Sequence, residues 1–238
     1  MSIRLDHITK TYTVGSHSRT VFSDFSLEIP YDKITVIVGR SGCGKSTILR
    51  LLGKLEEMDS GEIVMPDDYR CTILNPEPYL ISWTNVLNNI ALASGAGLTP
   101  VEREVKAREL MKVVKLSEYE EYTPLQLSTG MKQRLGLARA LASLSQVLLM
   151  DEPFASLDFI TRGELQQELL RIQTLMPRTM LFVTHQLDEA LLLGDSVVVL
   201  HTNGTTTTFD LSAYPHPRDI ESEEMLRLRK EIMQACMH

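Results

Sequence analysis

Gly39-Arg40-Ser41-Gly42-Cys43-Gly44-Lys45-Ser46-Thr47 stands between an apolar run, Ile34-Thr35-Val36-Ile37-Val38, and a helical pattern carried by Ile48, Leu49, Leu51 and Leu52. Strand, glycine-rich loop and helix, in that order, form the setting that a phosphate-binding loop requires. The glycines let the backbone turn tightly and point several N–H groups at one anion. A helix beginning near Lys45 adds the positive end of its dipole. Lys45 can place an ammonium on the outer phosphates, and the Ser46 hydroxyl can ligate Mg²⁺. A turn that only joined a strand to a helix would not need every position of the motif filled, as it is here. The loop therefore reads as a nucleotide site, without saying what the nucleotide is for.

Downstream of the loop the pattern alternates between strand and helix. Val147-Leu148-Leu149-Met150 is a continuous apolar run, as expected of a parallel strand covered on both faces. A helix is expected around Arg162–Leu175, then a strand at Met180–Val183, a helix at Leu187–Leu193 and a strand at Ser196–Leu200. Such alternation predicts a doubly wound parallel sheet, whose ligands bind beyond the carboxyl ends of the strands. Asp151 and Glu152 lie at one such end. An acid there, in a chain with a phosphate loop, suits Mg²⁺, the role assigned to Asp151. Glu152, beside it, is placed to polarise an attacking water as general base.

Upstream, the first thirty residues read as a β hairpin laid beside the nucleotide core. Ile3, Leu5 and Ile8 lead to a turn at Gly15–Ser18, and Val21–Ile29 alternates apolar and polar. Tyr12, just before the turn, is either a packed strand aromatic or a ring that stacks on a base. Glu62–Met65 and Arg70–Leu74 are short strands, and the stretch containing Pro76, Pro78 and Trp83 is irregular. From Thr84 to about Leu144 the chain is predominantly helical. One helix starts at Thr99-Pro100 and another is capped by Ser128. The last stretch, Asp219–His238, reads as a charged helix.

The 238 residues suffice for one substantial core and a smaller subdomain. A formal charge of -7 argues against a nucleic-acid partner and against electrostatic attachment to anionic lipid. No apolar run approaches a membrane span, and the amino-terminal residues lack a signal-peptide pattern. Cys43, Cys71 and Cys236 show neither metal-ligand nor disulfide spacing, so a cytoplasmic chain with reduced thiols is expected.

With these residues in place, the chain resembles an ATP-binding-cassette ATPase along nearly its whole length. The family's signature, Leu-Ser-Gly-Gly-Gln, appears as Leu127-Ser128-Thr129-Gly130-Met131, departing at Thr129 and Met131. Ala155-Ser156-Leu157-Asp158 is similar to its D-loop, and Thr184-His185 to its switch histidine. Tyr12 matches the aromatic that stacks on adenine. The resemblance implies a P-loop NTPase fold of the α/β class: a RecA-like parallel core, an amino-terminal antiparallel β subdomain and a helical subdomain at about 84–144. It implies binding of MgATP and its hydrolysis, with Gly39–Thr47, Tyr12 and, across an interface, Ser128, Gly130 and Asp158 holding nucleotide. It further implies Ser46 and Asp151 on the metal, with Glu152 and His185 at the attacking water. A second copy of the chain would be required, because each ATP lies head to tail between two chains.

A finer resemblance rests on Trp83–Asn89, Met131–Arg134, Asp151–Phe154 and Leu157-Asp158 followed by Thr161-Arg162. It points to the subgroup that energises bacterial importers of nitrate, sulfonates, taurine and thiamin precursors. Two integral membrane permease subunits and, indirectly, a solute-binding protein are the partners it implies. The chain would then sit peripherally on the inner face of the cell membrane, its permeases meeting the Pro76–Asn89 segment. The competing readings, a soluble cassette protein unconnected with transport and a regulatory module with little turnover, fit less well. The chain has one cassette and no basic patch, and it keeps Lys45, Asp151, Glu152 and His185. One departure concerns the glutamine that the family places after the strand at Arg70–Leu74, where this chain has Asn75-Pro76. Proline offers no side-chain ligand. Either Asn75 substitutes or water fills the Mg²⁺ position, and the stiffness of Pro76 and Pro78 favours water.

Overall fold

The computed structural model describes residues 1–95 and 97–237. Five strands form a parallel sheet: β3 (Ile34–Val38), β5 (Cys71–Leu74), β6 (Val147–Asp151), β7 (Thr179–Val183) and β8 (Ser196–Leu200). Their order is β5-β6-β7-β3-β8, and β9 (Thr206–Asp210) closes the edge antiparallel to β8. A second sheet, of order β2-β1-β4, is antiparallel and built from β1 (Ser2–Val14), β2 (His17–Pro30) and β4 (Ser60–Val64).

The apolar strands alternate between two cores, which is why they read as continuous runs. Val36, Leu148, Met150, Met180, Phe182 and Val197 face one core, shared with the helices. Ile37, Val147, Leu149, Leu181, Val183 and Val198 face the other, shared with the antiparallel sheet through Ile3, Leu5, Phe22 and Phe25. Helix α1 (Lys45–Leu52) lies in this second core, held by Ile48, Leu49, Leu51 and Leu52. Helices α2 (Val86–Ala93), α3 (Pro100–Val113) and α4 (Thr129–Ala142) pack on one another and on the first core, as do α5 (Phe159–Leu175), α6 (Leu187–Leu193) and α7 (Glu223–Ala235).

The caps fall where residue chemistry puts them. Thr99 and Glu102 form a reciprocal capping box on α3, Ser128 accepts from the Met131 N–H on α4, and Ser222 caps α7. Three details correct the sequence reading. Helix α5 begins three residues earlier than expected, because Asp158 accepts from the Thr161 N–H and starts it. Helix α7 begins at Glu223, since Asp219–Ser222 forms a turn that delivers the Ser222 cap. The strand expected at Glu62–Met65 runs instead over Ser60–Val64, its start fixed by the pairing of Ser60 with Thr9 on β1. Among the described residues no helix is long and apolar enough to cross a membrane.

Candidate functional site

The phosphate loop leaves β3 at Val38 and enters α1 through Gly44, whose φ of 112° is one an L side chain rarely adopts. A Cβ there would also stand 2.6 Å from the Phe22 ring, so only glycine lets β2 pass this close. The Lys45 ammonium spans the loop, donating to the Gly39 carbonyl at 2.8 Å and the Arg40 carbonyl at 3.0 Å. Cys43 turns its side chain into the core and gives its N–H to the Arg40 carbonyl, so it contributes backbone rather than a thiol. Arg40 and Ser41 are exposed on the outer turn.

The antiparallel sheet brings two further side chains to this loop. Tyr12 and Arg19 are cross-strand partners in the β1–β2 hairpin. The Arg19 guanidinium donates to the Gly42 carbonyl at 2.8 Å. The Tyr12 hydroxyl lies 3.2 Å from Thr47 Oγ1 and also donates to Glu56. Burial first, then the Glu56 bond, raises its ionisation above the ordinary tyrosine range. The Lys10 ammonium lies 5.0 Å from the centre of the Tyr12 ring. Tyr12, Arg19, Lys45, Ser46, Asp151 and Glu152 open together onto one cleft of about 440 Å³.

Asp151 closes the inner wall. Burial pushes its carboxyl above the ordinary range, the Ser46 hydroxyl hydrogen bond opposes this, and the Glu152 charge adds to the rise. A hydroxyl and a half-buried carboxylate are hard oxygen donors of the kind Mg²⁺ takes when substrate phosphates and water complete its shell. The pair therefore fits that ion, and a cation would relieve the cost of burying the charge.

Glu152 sits in the left-handed region at φ 49°. Its N–H donates to the Val183 carbonyl at 2.9 Å, and its carbonyl receives the Ala155 N–H at 3.2 Å. Its Oε1 lies 3.0 Å from Nδ1 of His185, which follows β7. Behind that histidine, Thr184 donates its hydroxyl to Glu189 at 2.6 Å. Burial holds the Glu189 carboxyl above its ordinary range, against the pull of that bond and of Arg162.

The structure thus gathers most of the loop, Tyr12, Asp151 and Glu152 around one cleft, with His185 joined to it through Glu152. Ser128, Gly130 and Asp158 do not line it. Ser128 caps α4 and Asp158 caps α5, and the two turns meet where a Cβ on Gly130 would come 3.3 Å from the Ser156 carbonyl. Asn75 lines a separate groove with Pro78, Tyr79, Gly136 and Arg139. Sequence reasoning missed Arg19. Its signal was its place opposite Tyr12 across a turn, a register legible only once the hairpin is paired.

A family profile described as ABC transporter matches residues 22–155. The aliphatic sulfonates import ATP-binding protein SsuB 1 of Shouchella clausii is 38% identical over 98% of this chain and 90% of its own length. The protein of the same name from Xanthomonas axonopodis pv. citri is 37% identical over 93% of this chain and 92% of its own. A solved dimeric structure of the ATP-binding cassette MJ0796, in a post-hydrolysis state bound to ADP and Pi, superposes with a TM-score of 0.79 at 27% identity, covering 88% of this chain and 98% of that one.

Proposed function

The chain belongs to the ABC transporter family and is an ATP-binding, ATP-hydrolysing protein; from that premise we propose that it energises import of a small solute through separate membrane subunits. Aliphatic sulfonates are the cargo named for its relatives, and the same class is proposed here. In this reading the chain is one ATPase domain, with the helical segment 84–144 as a subdomain and 219–238 as a carboxyl-terminal extension. Two permeases dock on the groove beside Asn75, and a solute-binding protein delivers cargo to them from outside. Support comes from Tyr79, which lines that groove and is 84% exposed, and from Trp83 four residues further on, 86% exposed. Apolar aromatics left this open suit a partner surface. The chain then works at the inner face of the cell membrane, anchored by its partners.

The geometry supports the following roles for the site. The loop N–H groups of Gly42, Gly44 and their neighbours, the Lys45 ammonium and the positive end of α1 hold the phosphates. Tyr12 presents its ring to the base. Ser46 and Asp151 would hold Mg²⁺, which supplies positive charge at the transferring phosphate. Glu152 accepts the proton of the attacking water. His185, bonded to Glu152, keeps that carboxylate aimed and offers its ring to the outer phosphate. Ser128, Gly130 and Asp158 lie on other turns and serve the nucleotide of a second chain, so two copies associate head to tail around two ATP molecules. The helix N-terminus under Ser128 presents free N–H groups to that anion.

The observation that carries this reading is the Glu152–His185 contact at 3.0 Å, one residue from Asp151 and facing the Lys45 loop. Glu152→Gln keeps the shape and its hydrogen bonds but cannot take a proton. ATP binding should survive while hydrolysis falls by roughly 10²–10⁴-fold, the usual range for removing a general base. With ATP, sedimentation of this variant should show a dimer. Turnover near that of the unmodified chain, or monomer alone at saturating ATP, would overturn the assignment.

A further inference from the structure

We propose that Gln133 is a positioning residue that ties the signature turn of each chain to the same chain's general base. The inference rests on Glu152 being that base. Gln133 lies on α4, five residues beyond the Ser128 cap, and is 1% exposed. Both ends of its amide are used. Nε2 donates to the Glu152 carbonyl at 3.0 Å, and Oε1 accepts from the Ser156 N–H at 2.9 Å. One planar group thus braces the turn from Glu152 to Ser156, whose own internal bond runs from the Ala155 N–H to the Glu152 carbonyl.

The brace matters because of the conformation it holds. A left-handed glutamate is disfavoured by about 1–2 kcal/mol and persists only where its surroundings over-determine it. The Glu152 peptide is held on one side by β7, through Val183, and on the other by α4, through Gln133. Without the α4 bond, the turn can relax toward an ordinary backbone conformation. A rotation there swings the carboxylate away from His185 and from the water it must meet. The metal side would stay, because Asp151 is fixed in the β6–β7 ladder.

The same helix carries the residues facing the second chain. At 1.5 Å per residue, Ser128 and Gln133 are roughly 7–8 Å apart along one rigid axis. The close approach of Gly130 to Ser156 adds a second contact between α4 and the braced turn. Seating the α4 terminus on the partner's nucleotide therefore bears directly on the backbone of this chain's own Glu152. The brace is already formed in the single chain, so seating the signature turn changes how firmly it is held, which links the two hydrolytic sites without any further element.

A buried glutamine that only stabilised the fold would lower the melting temperature and leave the kinetic pattern alone, so the test reads kinetics. Gln133→Met keeps the side-chain length and removes both hydrogen bonds. Its kcat should fall roughly 10–100-fold, as for residues that orient a reacting group. Its KM for ATP should change by less than about threefold, because phosphate-loop binding is untouched. Combined with Glu152→Gln, it should add no further loss, since both remove the same function. Gln133→Glu keeps the acceptor for Ser156 but can donate to the Glu152 carbonyl only while protonated. Its kcat relative to the unmodified chain should therefore rise as pH is lowered from about 8 to about 6, because burial lifts a carboxyl toward that range. Gln133→Met keeping kcat within about twofold, while Glu152→Gln is inactive, overturns the positioning role. If Gln133→Met does not fold, a flat pH ratio for Gln133→Glu overturns it instead. If Glu152→Gln itself hydrolyses ATP normally, the assignment of the base has failed, and the outcome is distinct from both of these.

Discussion

Replacing Lys45 by Ala tests how the phosphate loop divides its work between holding itself together and holding nucleotide. An ammonium has three donors. Two are committed to the carbonyls of Gly39 and Arg40, at 2.8 and 3.0 Å. The third is free to meet a phosphate, so binding breaks no loop bond. The loop is at the surface, and water can take over both carbonyls when the side chain is removed. The net cost to the fold should then be about 1 kcal/mol. For a domain of this size that lowers the melting midpoint by roughly 2–4 °C. The loss in binding is larger in kind, because a charge that meets phosphate directly is deleted. A charge-assisted hydrogen bond contributes at least about 1.5 kcal/mol, so the dissociation constant for ATP should rise tenfold or more, on the order of 1.4 kcal/mol per decade. Isothermal titration of ATP, paired with scanning calorimetry of the nucleotide-free chain, separates the two quantities. Lys45→Arg should not restore affinity, since a planar fork cannot reproduce three tetrahedral donors. Unchanged ATP affinity in Lys45→Ala, with the chain folded, would refute the assignment of the loop.

Three other perturbations follow from the same geometry. Burial raises the Asp151 carboxyl, so its folded pKa lies above its unfolded one; its stabilising contribution is full below the unfolded value of about 4 and is lost as pH rises through the folded pKa. Asp151→Asn should therefore melt a few degrees higher without nucleotide at neutral pH, lose that advantage in acid, and gain nothing from Mg²⁺ beyond ATP alone; a lower neutral melting point would contradict the burial argument. Gly136→Ala would set a methyl 2.5 Å from Pro78 and 2.9 Å from Leu74. Overpacking of that degree costs about 1–3 kcal/mol, seen as a lower urea midpoint at constant slope, and an unchanged midpoint would show that the Pro78 segment yields freely. Asn75→Ala should leave the Mg²⁺ dependence of ATP hydrolysis unchanged, because Asn75 lines the groove with Pro78 and Tyr79 rather than the nucleotide cleft; a large loss of apparent Mg²⁺ affinity would make Asn75 a ligand.

Much of the fold was legible because its physics is local. Strands buried on both faces must be apolar at every position, so β3, β6, β7 and β8 announced themselves as unbroken runs. Helix starts at Thr99 and Ser128 showed in their caps, which act within three residues. The phosphate loop was legible for the same reason, since its chemistry lies in consecutive residues. What escaped was what needs a distant partner. Strand β9 is mostly exposed and threonine-rich, and only pairing with β8 makes it a strand. The first turn of α5 was missed because Phe159 and Ile160 are 87% and 72% exposed, so the apolar periodicity begins only at Leu165. Arg19 reaches the loop only through the register of its hairpin.

The backbone of Glu152 belongs with these, and it shows why the site needs the whole molecule. A glutamate following a buried strand is an ordinary thing to read in a sequence. Its left-handed φ is not, because the local turn closed by the Ala155 N–H and the Pro153 that follows do not by themselves fix it. That conformation is imposed from two sides, by the Val183 carbonyl on β7 and by the Gln133 amide on α4. Strand β7 also delivers His185, and α4 also delivers Ser128. The two elements that hold Glu152 in an unfavoured conformation are therefore the two that bring it its hydrogen-bond partner and, on the proposed reading, the contact for a second chain. Strain at this residue registers whether both are in place. If either shifts, Glu152 gains by relaxing, and the carboxylate leaves the water. In the single chain both contacts are already made, so on the proposed reading assembly acts by holding α4 in place rather than by creating the turn.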